Sequence, residues 1–74
     1  MSYIIGVDSG GTFTDTVVVD EEGKFTIGKA PSTPRDFSIG VLESLRDAAD
    51  RLGIELDTLL RDTFGFIHGT TIGI

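Results

Sequence analysis

Cysteine is absent from this 74-residue chain, and histidine occurs once, at His68. That excludes a disulfide scaffold, a zinc finger, an iron–sulfur site and a cysteine nucleophile. The lack of cysteine also fits a reducing compartment. Basic residues are scarce: six Lys/Arg against twelve Asp/Glu give a formal charge of −6. With no basic cluster, this is the reverse of a nucleic-acid footprint. Long apolar runs are missing too. Val17-Val18-Val19 is typical of the longest, far below the ~20 residues of a membrane-spanning helix. Met1-Ser2-Tyr3-Ile4-Ile5 has neither the charged start nor the extended apolar region of a signal peptide. The expectation is a cytoplasmic chain that binds neither nucleic acid nor membrane. Its length allows one small domain or part of a larger one.

What is present is a succession of short patterned segments. Tyr3 to Asp8 is an apolar run too short for a helix, and it stops at the polar turn Ser9-Gly10-Gly11-Thr12. Thr14 to Asp20, rich in threonine and valine, reads as a second strand. Asp20-Glu21-Glu22-Gly23 has the acidic opening and closing glycine of a hairpin turn. Lys24 to Ala30 alternates, with Phe25 and Ile27 on one face and Lys24, Thr26 and Gly28 on the other. Pro31-Ser32-Thr33-Pro34 then signals a helix, with Thr33 as N-cap, Pro34 at the first helical position and Asp36 at capping-box distance. Phe37, Val41, Leu45, Ala48 and Leu52 share one helical face, and Gly53 closes the helix. Asp57 to Leu60 adds a helical turn. Phe64 to His68 forms a fourth strand, running into Gly69-Thr70-Thr71.

A helix between strands three and four makes strand four parallel to a partner, through a right-handed crossover. The expected fold is α/β: a mixed sheet in the order 3-2-1-4 with one main helix on one face. The chain ends in the apolar stretch Thr70 to Ile74 with no helix to finish the pattern. Residues 1–74 are therefore expected to be an N-terminal fragment of a larger domain.

The chemistry concentrates at Asp8-x-Gly10-Gly11-Thr12-Phe13-Thr14-Asp15. This loop joins two strands and has no lysine, which excludes a Walker A loop. The third glycine and the helix of a dinucleotide fingerprint are missing as well. What remains is a glycine-rich hairpin tip flanked by carboxylates and hydroxyls. Paired glycines expose backbone N–H groups to an anion, Thr12 and Thr14 offer hydroxyls, and Asp8 can hold magnesium directly or through water. The plainer alternative stays open: a tight turn, with Asp8 satisfying backbone N–H groups.

Ile5 to Asp15 resembles the first phosphate-binding hairpin of the actin, sugar-kinase and heat-shock ATPase (ribonuclease H-like) superfold. Asp-x-Gly-Gly-Thr-Phe-Thr-Asp resembles, more narrowly, the start of the hydantoinase A / 5-oxoprolinase family, which includes acetone and acetophenone carboxylase subunits. Lys29-Ala30-Pro31-Ser32-Thr33-Pro34 and His68-Gly69-Thr70-Thr71 resemble two further segments of that family. The resemblance implies ATP and Mg²⁺ as cofactors, with Ser9, Gly10, Gly11, Thr12 and Phe13 around the β- and γ-phosphates. Asp8 would face the magnesium, and Thr14 and Asp15 the transferred phosphoryl group. His68, Gly69, Thr70 and Thr71 would join from the neighbouring strand, although a lone strand-end histidine is also commonly structural.

The implied activity is ATP-dependent phosphorylation and ring opening of a small carbonyl or cyclic amide substrate, with a hydantoinase B-type partner subunit or domain. An acetone or acetophenone carboxylase subunit, a kinase of the same superfold, and an isolated fragment without activity are the alternatives. A sugar or pantothenate kinase would share the hairpin but lack His-Gly-Thr-Thr.

Overall fold

The computed structural model describes residues 2–33 and 35–70. Three strands come first: β1 (Tyr3–Ser9), β2 (Phe13–Val19) and β3 (Phe25–Pro31). Then follow α1 (Phe37–Leu52), α2 (Leu56–Arg61) and β4 (Thr63–Thr70). The sheet order is β3-β2-β1-β4, with β1 antiparallel to β2 and parallel to β4. Order and directions are those expected from placing a helix between the third and fourth strands. Asp20 builds the β2–β3 turn, its Oδ1 accepting from the amides of Glu22 (2.9 Å) and Lys24 (3.0 Å). Gly23 takes the positive φ of 83° that the turn requires.

Strand alternation divides the sheet into two unlike faces. Ile5, Val7, Val18 and Ala30 are buried beneath the helices. Leu45, Ala48 and Ala49 of α1 and Leu59 of α2 complete the core, and Val41 and Leu52 pack at its margin. The helical spacing therefore marks the packed face. The side chain of Phe37, expected on the same face, lies outside the description. On β3 the covered face is the one bearing Gly28 and Ala30, while Phe25 and Ile27 point to the open side.

The small side chains on the covered side have a reason. A Cβ added at Gly28 would lie 2.2 Å from the Ser44 carbonyl oxygen and 2.5 Å from the Ala48 amide nitrogen. The helix backbone therefore rests directly on β3. Beside this contact, Ser44 donates to the Val41 carbonyl (2.9 Å). Its one proton being used there, the Thr16 hydroxyl is the donor in the fully buried 2.6 Å bond to Ser44 Oγ. Asp47 adds a third tie, its Oδ2 accepting from the Lys29 amide (2.9 Å) and from Arg51 Nε (3.2 Å).

The helix start differs from expectation. Thr33 is not the N-cap. Asp36 is, with extended backbone (φ −151°, ψ 94°) and a side chain accepting from the Ser38 amide. A carboxylate directly before the first turn reaches that amide, whereas the Thr33 hydroxyl is used otherwise: it donates to the Asp36 carbonyl and accepts from the Gly40 amide. Pro34, expected at the first helical position, lies outside the described residues. Gly53 ends the helix as expected, with φ 75° and its amide bonded to the last turn.

Two outcomes follow. Gly28→Ala should destabilise the chain by about 1–3 kcal/mol in chemical denaturation, because helix backbone leaves no room for the methyl. The carboxyl of Asp47 is held below its ordinary value of 3.8, first by the Lys29 amide and then by Arg51. A lowered folded-state pKa gives stability that is present above the unfolded value and lost as pH falls through the folded one. Asp47→Asn should therefore cost stability at neutral pH, and the gap to wild type should close on acidification below that ordinary value.

Candidate functional site

The β1–β2 register decides which residues can act together. Asp8 pairs with Asp15 and Ser9 with Thr14, and the Gly10 amide closes the hairpin on the Phe13 carbonyl (3.0 Å). Gly69 of β4 sits beside Asp8, and Lys29 of β3 beside Asp15. Gly69, Asp8, Asp15 and Lys29 thus form one row across all four strands, with Asp8, Asp15 and Lys29 on the open face. Thr70, Ser9, Thr14 and Ala30 form the next row. Ser9, Thr14 and Ala30 are buried on the helix side.

Thr14 consequently does not share a face with the carboxylates. Ser32 Oγ donates to the Gly10 carbonyl (2.7 Å) and so uses its proton. The Thr14 hydroxyl is then the donor in its 3.1 Å bond to Ser32 Oγ. Ser32 also donates its own amide to the Thr12 carbonyl (2.9 Å). The relay from Thr14 through Ser32 to Gly10 braces the glycine tip from behind and leaves Thr14 no proton for a ligand.

At the tip, Gly11 and Thr12 are exposed, and among the described hydrogen bonds their amides donate to nothing. Gly11 does not have positive φ, and a Cβ there would meet nothing within 4 Å. Backbone handedness therefore does not account for the glycine. Its missing side chain leaves open space at the tip beside two amides without a described acceptor, which suits an anion.

On the open face, Gly6, Asp8, Asp15, Val17, Ile27, Lys29 and Ile67 line a shallow groove. Asp15 Oδ1 is shielded from solvent but has no hydrogen-bond partner. The Lys29 ammonium stands 3.7 Å from it, close enough for an ion pair but beyond hydrogen-bond reach. The same ammonium lies 5.4 Å from the centroid of the Phe13 ring. With both partners about half exposed, such a pair contributes only ~0–1 kcal/mol.

Among the described residues, no three His, Cys, Asp or Glu converge on a point. Magnesium asks for less: one or two carboxylates, with water and phosphate completing the shell. Asp8 and Asp15, whose Oδ1 accepts no hydrogen bond, fit that demand.

The structure thus brings Asp8, Asp15 and the Gly10–Phe13 tip together, and places the backbones of His68, Gly69 and Thr70 alongside β1. It separates Ser9 and Thr14 from the open face. Thr71 lies outside the described residues, as do the side chains of His68 and Thr70. Sequence reasoning did not select Lys29 or Ser32 for the site. The signal for Lys29 was available: counting back equally from the ends of the Asp20–Lys24 turn sets it opposite Asp15.

This four-stranded mixed sheet with its helical crossover is the α/β architecture of the actin-like ATPase fold. A nucleotide-free acetone carboxylase structure superposes with TM-score 0.89 at 35% identity, over 95% of this chain and 10% of that one. A nucleotide-free diol dehydratase-reactivating factor gives 0.63 at 26% identity, over 92% of this chain and 12% of its own. Residues 4–74 match the hydantoinase/oxoprolinase N-terminal region, and the chain belongs to that family. Its relatives include the caprolactamase α subunit of Pseudomonas jessenii, 39% identical over 97% of this chain. The acetone carboxylase β subunit of Xanthobacter autotrophicus is 39% identical over 93%. The chain spans about a tenth of the length of each of these relatives. No described helix is long and apolar enough to cross a membrane.

Ser32→Ala should remove the brace behind the tip. The expected cost is about 1–3 kcal/mol for the buried Thr14 hydroxyl left without its acceptor. Faster amide hydrogen exchange should be confined to the Gly10–Thr14 hairpin. Unchanged exchange there would show that the relay does not hold the tip.

Proposed function

We propose that residues 1–74 form the N-terminal phosphate-binding part of an ATP-dependent enzyme that activates a small carbonyl or cyclic amide substrate and opens the ring by hydrolysis. The observation that carries this is the exposed Gly11-Thr12 tip that ends the hairpin just beyond the paired Asp8 and Asp15. Two unpartnered amides suit phosphate oxygens, and two carboxylates suit the magnesium that accompanies them. Ser32 holds the tip in shape before any ligand arrives, which is the kind of positioning phosphoryl transfer rewards.

A ring amide is resonance-stabilised and a poor electrophile. ATP would supply a phosphoryl group to its oxygen and leave as ADP. Water could then add to the activated carbon and the ring C–N bond break, with the nitrogen leaving as the protonated amine. A second water would release the phosphate. The residues of this chain would orient and charge-balance the triphosphate, and the negative charge of −6 makes that local arrangement necessary. The backbone of Gly69, in register with Asp8, brings β4 alongside the site. A partner subunit is consistent with the relatives, which are themselves named as subunits.

A second reading has its own support. Acetone carboxylase β subunit matches at the same 39% as caprolactamase, so activation of a ketone for carboxylation shares this apparatus. ATP consumption by the full-length protein decides between them. Stimulation by lactams, hydantoin or 5-oxoproline supports ring opening, whereas stimulation by acetone with bicarbonate supports carboxylation. In either case Asp8→Ala should lower ATP-dependent turnover by on the order of a hundredfold or more, the scale for losing one preorganised electrostatic group. Retained turnover would remove Asp8 from the site.

A further inference from the structure

We propose that Lys29 is the cation that recognises the terminal phosphate of the bound nucleoside triphosphate, so that this site distinguishes triphosphate from diphosphate. The inference rests on the phosphate-site reading above and adds a residue to it. The hairpin loop contains no basic residue, and among the described residues lining the groove on the open face Lys29 is the single basic side chain. It arrives from β3, where it is the cross-strand neighbour of Asp15.

Three observations give Lys29 this task. The first is direction. Phe13 lies two residues nearer the tip than Asp15 on the same strand, about 7 Å along it, and the ammonium sits over the Phe13 ring. The side chain therefore leans toward the tip.

The second is incomplete satisfaction. At 3.7 Å from Asp15 Oδ1 the ammonium is paired by charge but not by hydrogen bond. Among the described contacts its donors have no acceptor. Asp15 and Phe13 hold the charge in place while leaving its N–H groups for another acceptor.

The third is charge balance across the row. Asp8 and Asp15 place two negative charges beside the position a phosphate would take. Magnesium held by these carboxylates would draw the outer phosphates toward them, and the γ-phosphate is among those only in the triphosphate. Lys29 supplies the neighbouring positive charge there.

The test is the affinity of the full-length protein for Mg-ATP and for Mg-ADP by calorimetry, in wild type, Lys29→Met and Lys29→Arg. Lys29→Met should weaken ATP binding roughly ten- to hundredfold, the worth of a hydrogen bond to a charged group, and leave ADP binding unchanged. Lys29→Arg keeps the charge and should recover most of the ATP affinity. Equal weakening of ATP and ADP would reduce Lys29 to a structural residue and overturn the proposal. Unchanged affinity for both would overturn it as well, while leaving the tip and Asp8 in place. Failure of the wild-type protein to bind either nucleotide would bring down the phosphate-site reading, and this proposal with it.

Discussion

The structure depends on how closely α1 approaches the sheet. At Gly28 the helix backbone occupies the space a side chain would need, and even a methyl group would meet the Ser44 carbonyl. A 74-residue chain has little apolar surface to bury, so small residues at the contact let backbone meet backbone. Gly28, Ser44 and Ala48 are those residues, and the Thr16–Ser44 hydrogen bond fixes where along the helix the contact falls. Two hydroxyls shut in this contact would be costly unpaired, and their pairing makes the position specific.

The closeness on one face decides what the other can do. Because odd-numbered positions of β1 and even-numbered positions of β2 turn toward α1, Asp8 and Asp15 must turn away from it. The same alternation takes Ser9 and Thr14 into the interior. The hairpin is thus divided by function: hydroxyls of Thr14 and Ser32 hold its shape from behind, while carboxylates and tip amides face outward. On the proposed reading, a site for a highly charged ligand in a chain of net charge −6 gains from this. Its donors are backbone amides that cannot be titrated away, and its acid groups are those magnesium prefers.

Much of this was legible from residue order. The apolar run at Tyr3–Asp8, the acidic turn at Asp20 and the helical spacing from Val41 to Leu52 each have a local physical cause, and a helical crossover leaves few sheet orders. The hairpin motif carried the family. Three features were less legible because they depend on competition or on tertiary register. Thr33 and Asp36 are both competent caps, and only the path of the chain shows that Asp36 reaches the first-turn amide while Thr33 turns to Gly40. Likewise Thr14 reads as a phosphate hydroxyl until the fold brings Ser32 beside it from eighteen residues away. Lys29, outside the loop in sequence, enters the site only through β2–β3 pairing.

The central claim is that the Gly10–Thr12 tip is a phosphate cradle whose rear is braced by Ser32 and whose open side carries the acidic pair. A structure of the full-length protein with magnesium and a non-hydrolysable ATP analogue tests this most directly. The account predicts phosphate oxygens on the Gly11 and Thr12 amides, the metal facing Asp8, and Thr14 still bonded to Ser32. A triphosphate bound away from this hairpin, or a Thr14 hydroxyl turned from Ser32 onto the phosphate, would contradict it.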